Sequence, residues 1–183
     1  PASAAQLSLA AESHNTMPTS IPGLRFGEFQ GLPALLITTP FSKAAVSLFG
    51  GHALSFVPAG FDDVLWMSPT TKRPPDPLRG GIPVCWPYFA KQGQPADAPQ
   101  HGLVRTLQWQ VTHAQQNADG EIALALAAPA VEGVPMSLIL TMRIGRALEQ
   151  ALTTVNLGDE TVRFTQALHT YFRVGDARRV HVT

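Results

Sequence analysis

The residues best suited to chemistry fall in two short stretches. Arg79–Phe89, RGGIPVCWPYF, combines an arginine, paired glycines, two prolines, a tryptophan and the single cysteine of the chain. Gln100–Arg105, QHGLVR, sets an amide, an imidazole and a guanidinium within six residues. The first is too irregular for a helix and too rich in proline for a central strand. Both read as shaped loops that bring polar groups to one place. Local arginines can bind an anionic ligand, and an imidazole titrates near neutral pH. Cys85, set among Val84, Trp86 and Pro87, reads as a small buried hydrophobe rather than a nucleophile.

Composition limits what such loops could serve. The chain has 183 residues, 45% hydrophobic and 14% charged, with a net charge of zero and a pI near 7.5. That is a packable chain of one domain. It lacks the basic excess that nucleic acid or an acidic membrane surface would attract. One cysteine excludes an internal disulfide and fits a reducing, cytoplasmic setting. No apolar run reaches the roughly 18 residues of a membrane span. Residues 1–22 have no basic region before their apolar patch, a poor signal peptide. They read as a loose leader to a domain over 23–183.

The elements that must position the loops are strands. Leu32–Thr38, Lys43–Phe49 and His52–Val57 are apolar runs separated by turn residues, and Val64–Met67 is a shorter one. Ser68–Pro77 and Lys91–Pro99 read as loops. Alternation marks Thr106–His113, where Leu107, Trp109 and Val111 share a face with His113, which thereby reads as structural. Ile122, Leu124 and Leu126 alternate, as do Leu138, Leu140, Met142 and Ile144. Ala147–Leu157 and Thr161–Val174 follow. Phe41, Phe49 and Phe56 are core candidates, while His14, His52 and His181 acquire no role. The expected class is all-β, a large antiparallel sandwich.

Within Thr161–Val174, a regular strand puts Val162, Phe164 and Leu168 on an oily face. Arg163, Thr165, Ala167, His169 and Tyr171 take the other. The last residues, Val180–Thr183, read as the middle of a further strand. A sandwich stopping there would leave an unpaired edge, so the sequence reads as the front part of something longer.

RGGIPVCWPYF, QHGLVRTLQW and ALHTYFRVGD, in that order, resemble the glucose-6-phosphate 1-epimerase family, the hexose-6-phosphate mutarotases related to aldose 1-epimerases. GGHALSFVPAG at Gly50–Gly60 and VLWMSP at Val64–Pro69 extend the resemblance, which runs from about Lys43 to the last residue. It implies a galactose-mutarotase-like β-sandwich that interconverts the α and β anomers of a hexose 6-phosphate without metal or organic cofactor. By similarity His169 is catalytic, and Arg79, Gln100 and Arg105 match ligand-binding positions. His101, between them, is expected to face the sugar. The family's second catalytic residue, a glutamate, has no counterpart by motif in this sequence.

Mutarotation opens a hemiacetal ring and recloses it on the other face of C1. One group takes the proton of the anomeric hydroxyl, and another protonates the ring oxygen; a carboxylate suits the first and a histidine the second. Arginines match phosphate oxygens with paired hydrogen bonds, and Gln100 suits sugar hydroxyls. Trp86 reads equally as core or as a platform for a pyranose. The expected partner is a small sugar phosphate bound by a monomer. Two other readings stay open. One is a cupin-like metal site from His101, His113 and His169, which no HxH or HxxxE spacing supports. The other is a non-catalytic sugar- or sugar-phosphate-binding module.

Overall fold

A computed structural model of the chain describes residues 21–91 and 93–181. His14 and nearly all of the expected leader lie outside the described residues. The architecture is two four-stranded antiparallel meanders. The first holds β1 (Leu24–Phe29), β2 (Leu32–Thr38), β3 (Ser42–Ser47) and β4 (His52–Pro58), adjacent in chain order. A two-residue turn, Gln30-Gly31, joins β1 to β2 with Phe29 opposite Leu32, the tightest hairpin connection. A two-residue strand, β5 (Val84–Cys85), precedes the second meander. That meander holds β6 (Gln110–Gln116), β7 (Ile122–Ala127), β8 (Met136–Ile144) and β9 (Leu148–Asn156).

Alternation explains the packing of the second sheet. Ile122, Leu124 and Leu126 of β7 are buried beside Leu138, Leu140, Met142 and Ile144 of β8. They form one cluster with Leu35, Ile37, Ala44, Val46 and Phe56 of the first sheet. This is the sandwich core, built where two apolar faces meet. The first sheet buries its other face as well. Leu32, Ala34, Ala45 and Leu54 pack there against Met67 and Leu78, so the loop between β4 and β5 roofs that sheet. Its strands consequently read as nearly continuous apolar runs. Of the three phenylalanines expected inside, Phe56 is fully buried. Phe49 is half-buried against the smaller cluster. Phe41 is half-buried and carries the Arg146 guanidinium 4.1 Å above its ring.

Four expected strands differ. Val64–Met67 forms no strand and makes only isolated bridges, Leu65 to Phe172 and Met67 to Gly80. Thr161–Val174 is not one strand: only β10 (Ala167–Leu168) pairs, antiparallel with β5, and Phe172 makes an isolated bridge to Leu65. The physical cause is its neighbour. The segment runs beside the proline-rich stretch, where Pro83 and Pro87 accept from His169 and Thr165 but have no N–H to return. A regular ladder cannot form, and Phe164 turns out to solvent, 41% exposed. In Thr106–His113 the strand starts only at Gln110, after a 3-10 turn at Val104–Thr106. A register shift between Val111 and His113 then rotates the chain. His113 faces out and Ala114 takes the buried place, which overturns the structural reading of His113. Finally, Val180 and His181 lie in no strand, while Val182 and Thr183 fall outside the described residues. No helix among the described residues is long and apolar enough to cross a membrane.

Candidate active site

Arg79–Phe89 is the spine on which the other motifs are hung. At its start, the Ser68 N–H donates to the Arg79 carbonyl and the Gly81 N–H to the Trp66 carbonyl. Further along, Gly81 and Pro83 accept from the N–H groups of Tyr171 and His169. At its far end, the Trp86 carbonyl accepts from Leu103, and the Ala90 carbonyl just beyond accepts from His101. The Phe89 N–H donates to Thr165 Oγ1 at 2.8 Å. The chain is irregular here because its hydrogen bonds go to several different segments, among them those around Trp66–Ser68, His101–Leu103 and Thr165–Tyr171, rather than to one partner strand.

This stitching brings His101 and His169 together. Their ring centroids lie 5.3 Å apart, edge to face. Tyr171 stacks on His169 at 5.0 Å and Phe89 at 5.8 Å. Phe89 also meets His101 at 4.9 Å, and Trp66 continues the row beside Tyr171 at 5.9 Å. Aromatic walls of this kind fix ring planes and keep the polar edges of the imidazoles free. Trp66, Phe89 and Tyr171 were not singled out from sequence. The signal for Tyr171 was its shared parity with His169, and Phe89 ends the first motif.

His101 is held in an uncommon conformation, with φ of 68°, and Ala90 opposite it has φ of 56°. Left-handed backbone at two non-glycine residues costs about 1 kcal/mol or more each. It is held by reciprocal bonds: the His101 N–H donates to the Ala90 carbonyl at 2.9 Å, and the Ala90 N–H donates to His101 Nδ1 at 3.3 Å. An Nδ1 that accepts leaves the ring proton on Nε2. Desolvation, then the charges of Arg105 and His169, push the His101 pKa down. The group is thus a neutral Nε2–H donor. Gly102 beside it permits the close approach of the two loops. A Cβ there would stand 2.1 Å from the Trp86 carbonyl oxygen, at φ of +86°. Gly102→Ala is predicted to cost roughly 2–4 kcal/mol from strain and overpacking. A chemical-denaturation midpoint unchanged by that substitution would contradict the packing described.

Arg105 donates from Nη2 to the Gln100 carbonyl at 2.8 Å. Its Nε is buried and has no partner among the described residues. Gln100 and Arg79 are exposed, and among the described residues no hydrogen bond or ion pair engages the Arg79 guanidinium. The structure therefore sets Gln100 and Arg105 beside His101, and mounts Arg79 on the loop bonded to the His169 segment. Trp86 is 1% exposed, with its indole N–H on Thr154 Oγ1 at 3.0 Å. It is core, and the platform reading falls. Cys85 is equally buried, and burial pushes its thiol up to about 11, which removes it from nucleophilic work. Among the described residues no three potential ligands cluster for a metal ion.

His52 also belongs to this neighbourhood. It is fully buried, and burial lowers its pKa from 6.5 to about 4. Below pH 6.5 the unfolded chain takes up a proton that the folded chain refuses until about pH 4. Stability is therefore predicted to fall as pH drops through that window, by up to about 3 kcal/mol at its end. Acid-denaturation curves check this, and His52→Gln should flatten the slope. An equal slope in the variant would show that other groups carry it.

The family model described as aldose 1-epimerase matches residues 33–183. A protein of Escherichia coli K12 named "Putative glucose-6-phosphate 1-epimerase" is 36% identical over 172 residues, covering 88% of this chain and 55% of its own. The equally named protein of Salmonella typhimurium LT2 is 31% identical, with 88% and 55% covered. A crystal structure described as a "putative mutarotase" from Salmonella typhimurium superposes with a TM-score of 0.74 at 31% identity. It covers 85% of this chain and 53% of that one. The chain spans about half the length of the curated relatives it matches. A family match over nearly all the described residues, on the β-sandwich shared with that solved structure, settles the kinship: the chain belongs to the aldose 1-epimerase family.

Proposed function

We propose that the protein is a hexose-6-phosphate mutarotase, with glucose 6-phosphate as the preferred substrate, and that these residues carry the acid half of its site. The observation that supports this most is the imidazole pair, His101 and His169, 5.3 Å apart in an aromatic frame. In this reading His169 protonates the ring oxygen as the C1–O bond breaks. His101, a neutral donor at Nε2, holds a sugar oxygen. Arg105 and Arg79 receive the phosphate, and Gln100 takes a hydroxyl. The base that accepts the anomeric proton is a carboxylate outside the motifs of this chain, the glutamate that the resemblance implies. Ring opening moves only protons and one C–O bond, so side-chain acids and bases suffice.

Anomer exchange of glucose 6-phosphate, followed by NMR in the whole natural protein, tests the reading. Exchange no faster than in buffer would sink it. Saturable binding without exchange would instead identify a sugar-phosphate-binding module.

A further inference from the structure

His52 is left without a task by the chemistry above, yet it is 2% exposed and its ring reaches a loop 28 residues away. We infer that His52 is a positioning residue for the Arg79 loop, its imidazole clamping the Gly80 carbonyl so that the arginine is presented in one place.

Nε2 of His52 lies 2.7 Å from the Gly80 carbonyl oxygen. A carbonyl can only accept, so Nε2 carries the proton. The ring is neutral at physiological pH because burial disfavours its charged form. The same peptide unit is gripped at its other end, where the Gly81 N–H donates to the Trp66 carbonyl at 2.8 Å. With oxygen and N–H both held, the Gly80–Gly81 peptide plane cannot rotate. Arg79 is the next residue back, and its own carbonyl is held by the Ser68 N–H at 3.1 Å. Gly81 presses on β4: a Cβ there would stand 2.2 Å from the Ala53 carbonyl oxygen and 3.0 Å from His52 Nε2. Without the imidazole donor, the buried Gly80 carbonyl has no partner and the plane is free to turn, carrying Arg79 with it.

The inference rests on reading Arg79 as a phosphate ligand, so its test separates the two. In the whole natural protein, His52→Gln keeps an amide N–H near the reach of Nε2, while His52→Asn ends one bond shorter; His52→Leu removes the donor. Glucose 6-phosphate affinity is measured by calorimetry, KM and kcat by anomer exchange, and the Gly81 and Tyr171 amides by hydrogen exchange. Asn and Leu should weaken binding and raise KM about tenfold, the size of one lost hydrogen bond. Their kcat should change much less, and Gln should recover most of the loss. Gly81 exchange should quicken in Asn and Leu while Leu124 and Leu140 keep wild-type protection.

If Asn and Leu bind sugar phosphate as the wild type does while Arg79→Ala weakens it, the inference fails. It also fails if kcat drops with the folded fraction at constant KM, because that is a merely structural role. If Gly81 exchange quickens in Asn but not Gln while Arg79→Ala binds sugar phosphate normally, the positioning stands and the phosphate reading of Arg79 falls.

Discussion

His169→Ala is expected to lower kcat for anomer exchange by about 10²–10⁴-fold, the usual worth of one positioned acid or base. Affinity for the sugar phosphate should stay within a few-fold of wild type, because the imidazole acts on the ring oxygen as the bond breaks. The geometry argues for a specialised role. A histidine serving only to fill space would be enclosed and satisfied. His169 is half-buried, stacked by Tyr171 at 5.0 Å and by Phe89 at 5.8 Å, and set edge-on to His101. Its backbone N–H is tied to the Pro83 carbonyl at 2.9 Å, while its ring makes no hydrogen bond among the described residues. Line-shape or saturation-transfer NMR on both anomers gives the rate directly. Wild-type turnover in the alanine variant would remove His169 from the reaction.

The second large effect is expected at Arg105. Arg105→Ala should weaken glucose 6-phosphate by roughly 10–100-fold, the range for a lost charge-assisted contact. Unphosphorylated glucose should lose no more than a few-fold. The side chain is half-buried, its Nη2 is committed to the Gln100 carbonyl, and its Nε is buried without a partner among the described residues. Among the described residues no hydrogen bond engages Nη1, and an unengaged N–H of a half-buried guanidinium favours an incoming oxyanion. Arg105→Lys should fall between, because an ammonium keeps the charge but not the fork. Arg105 also lowers the His101 pKa through its charge, so the alanine variant should raise it, visible in an NMR titration of the ring. Equal losses for glucose and glucose 6-phosphate would take the phosphate away from this residue.

Much of this was legible in the residues. In the second meander the runs follow from alternation and turn chemistry, because a strand with one face in the core must repeat every second residue. β7 and β8 are the clearest cases. In the first, β2 to β4 show as apolar runs between turns, while β1 (Leu24–Phe29) was not among the expected strands. The separation of Gln100, His101 and Arg105 from ordinary core was also visible, since polar groups crowded beside glycine have little use in packing. Cys85 as a packed thiol followed from its neighbours, and Tyr171 sharing a side with His169 followed from parity.

Other features depend on which distant segments meet, and no local pattern encodes that. Thr161–Val174 alternates like a strand, yet its neighbour is a proline-bearing loop that cannot return hydrogen bonds, so only Ala167–Leu168 pairs. A single bulge reversed His113, because one extra residue moves every later side chain to the opposite face. Trp86 was undecided until Thr154, on a strand 68 residues on, received its N–H. The ring proton of His101 is placed by the Ala90 amide, and His52 found its purpose in the Gly80 carbonyl. Residue types thus set what each group can donate or accept. Long-range backbone pairing, centred on Arg79–Phe89, sets which of those groups face one another, because each loop's hydrogen bonds are completed by a different part of the chain.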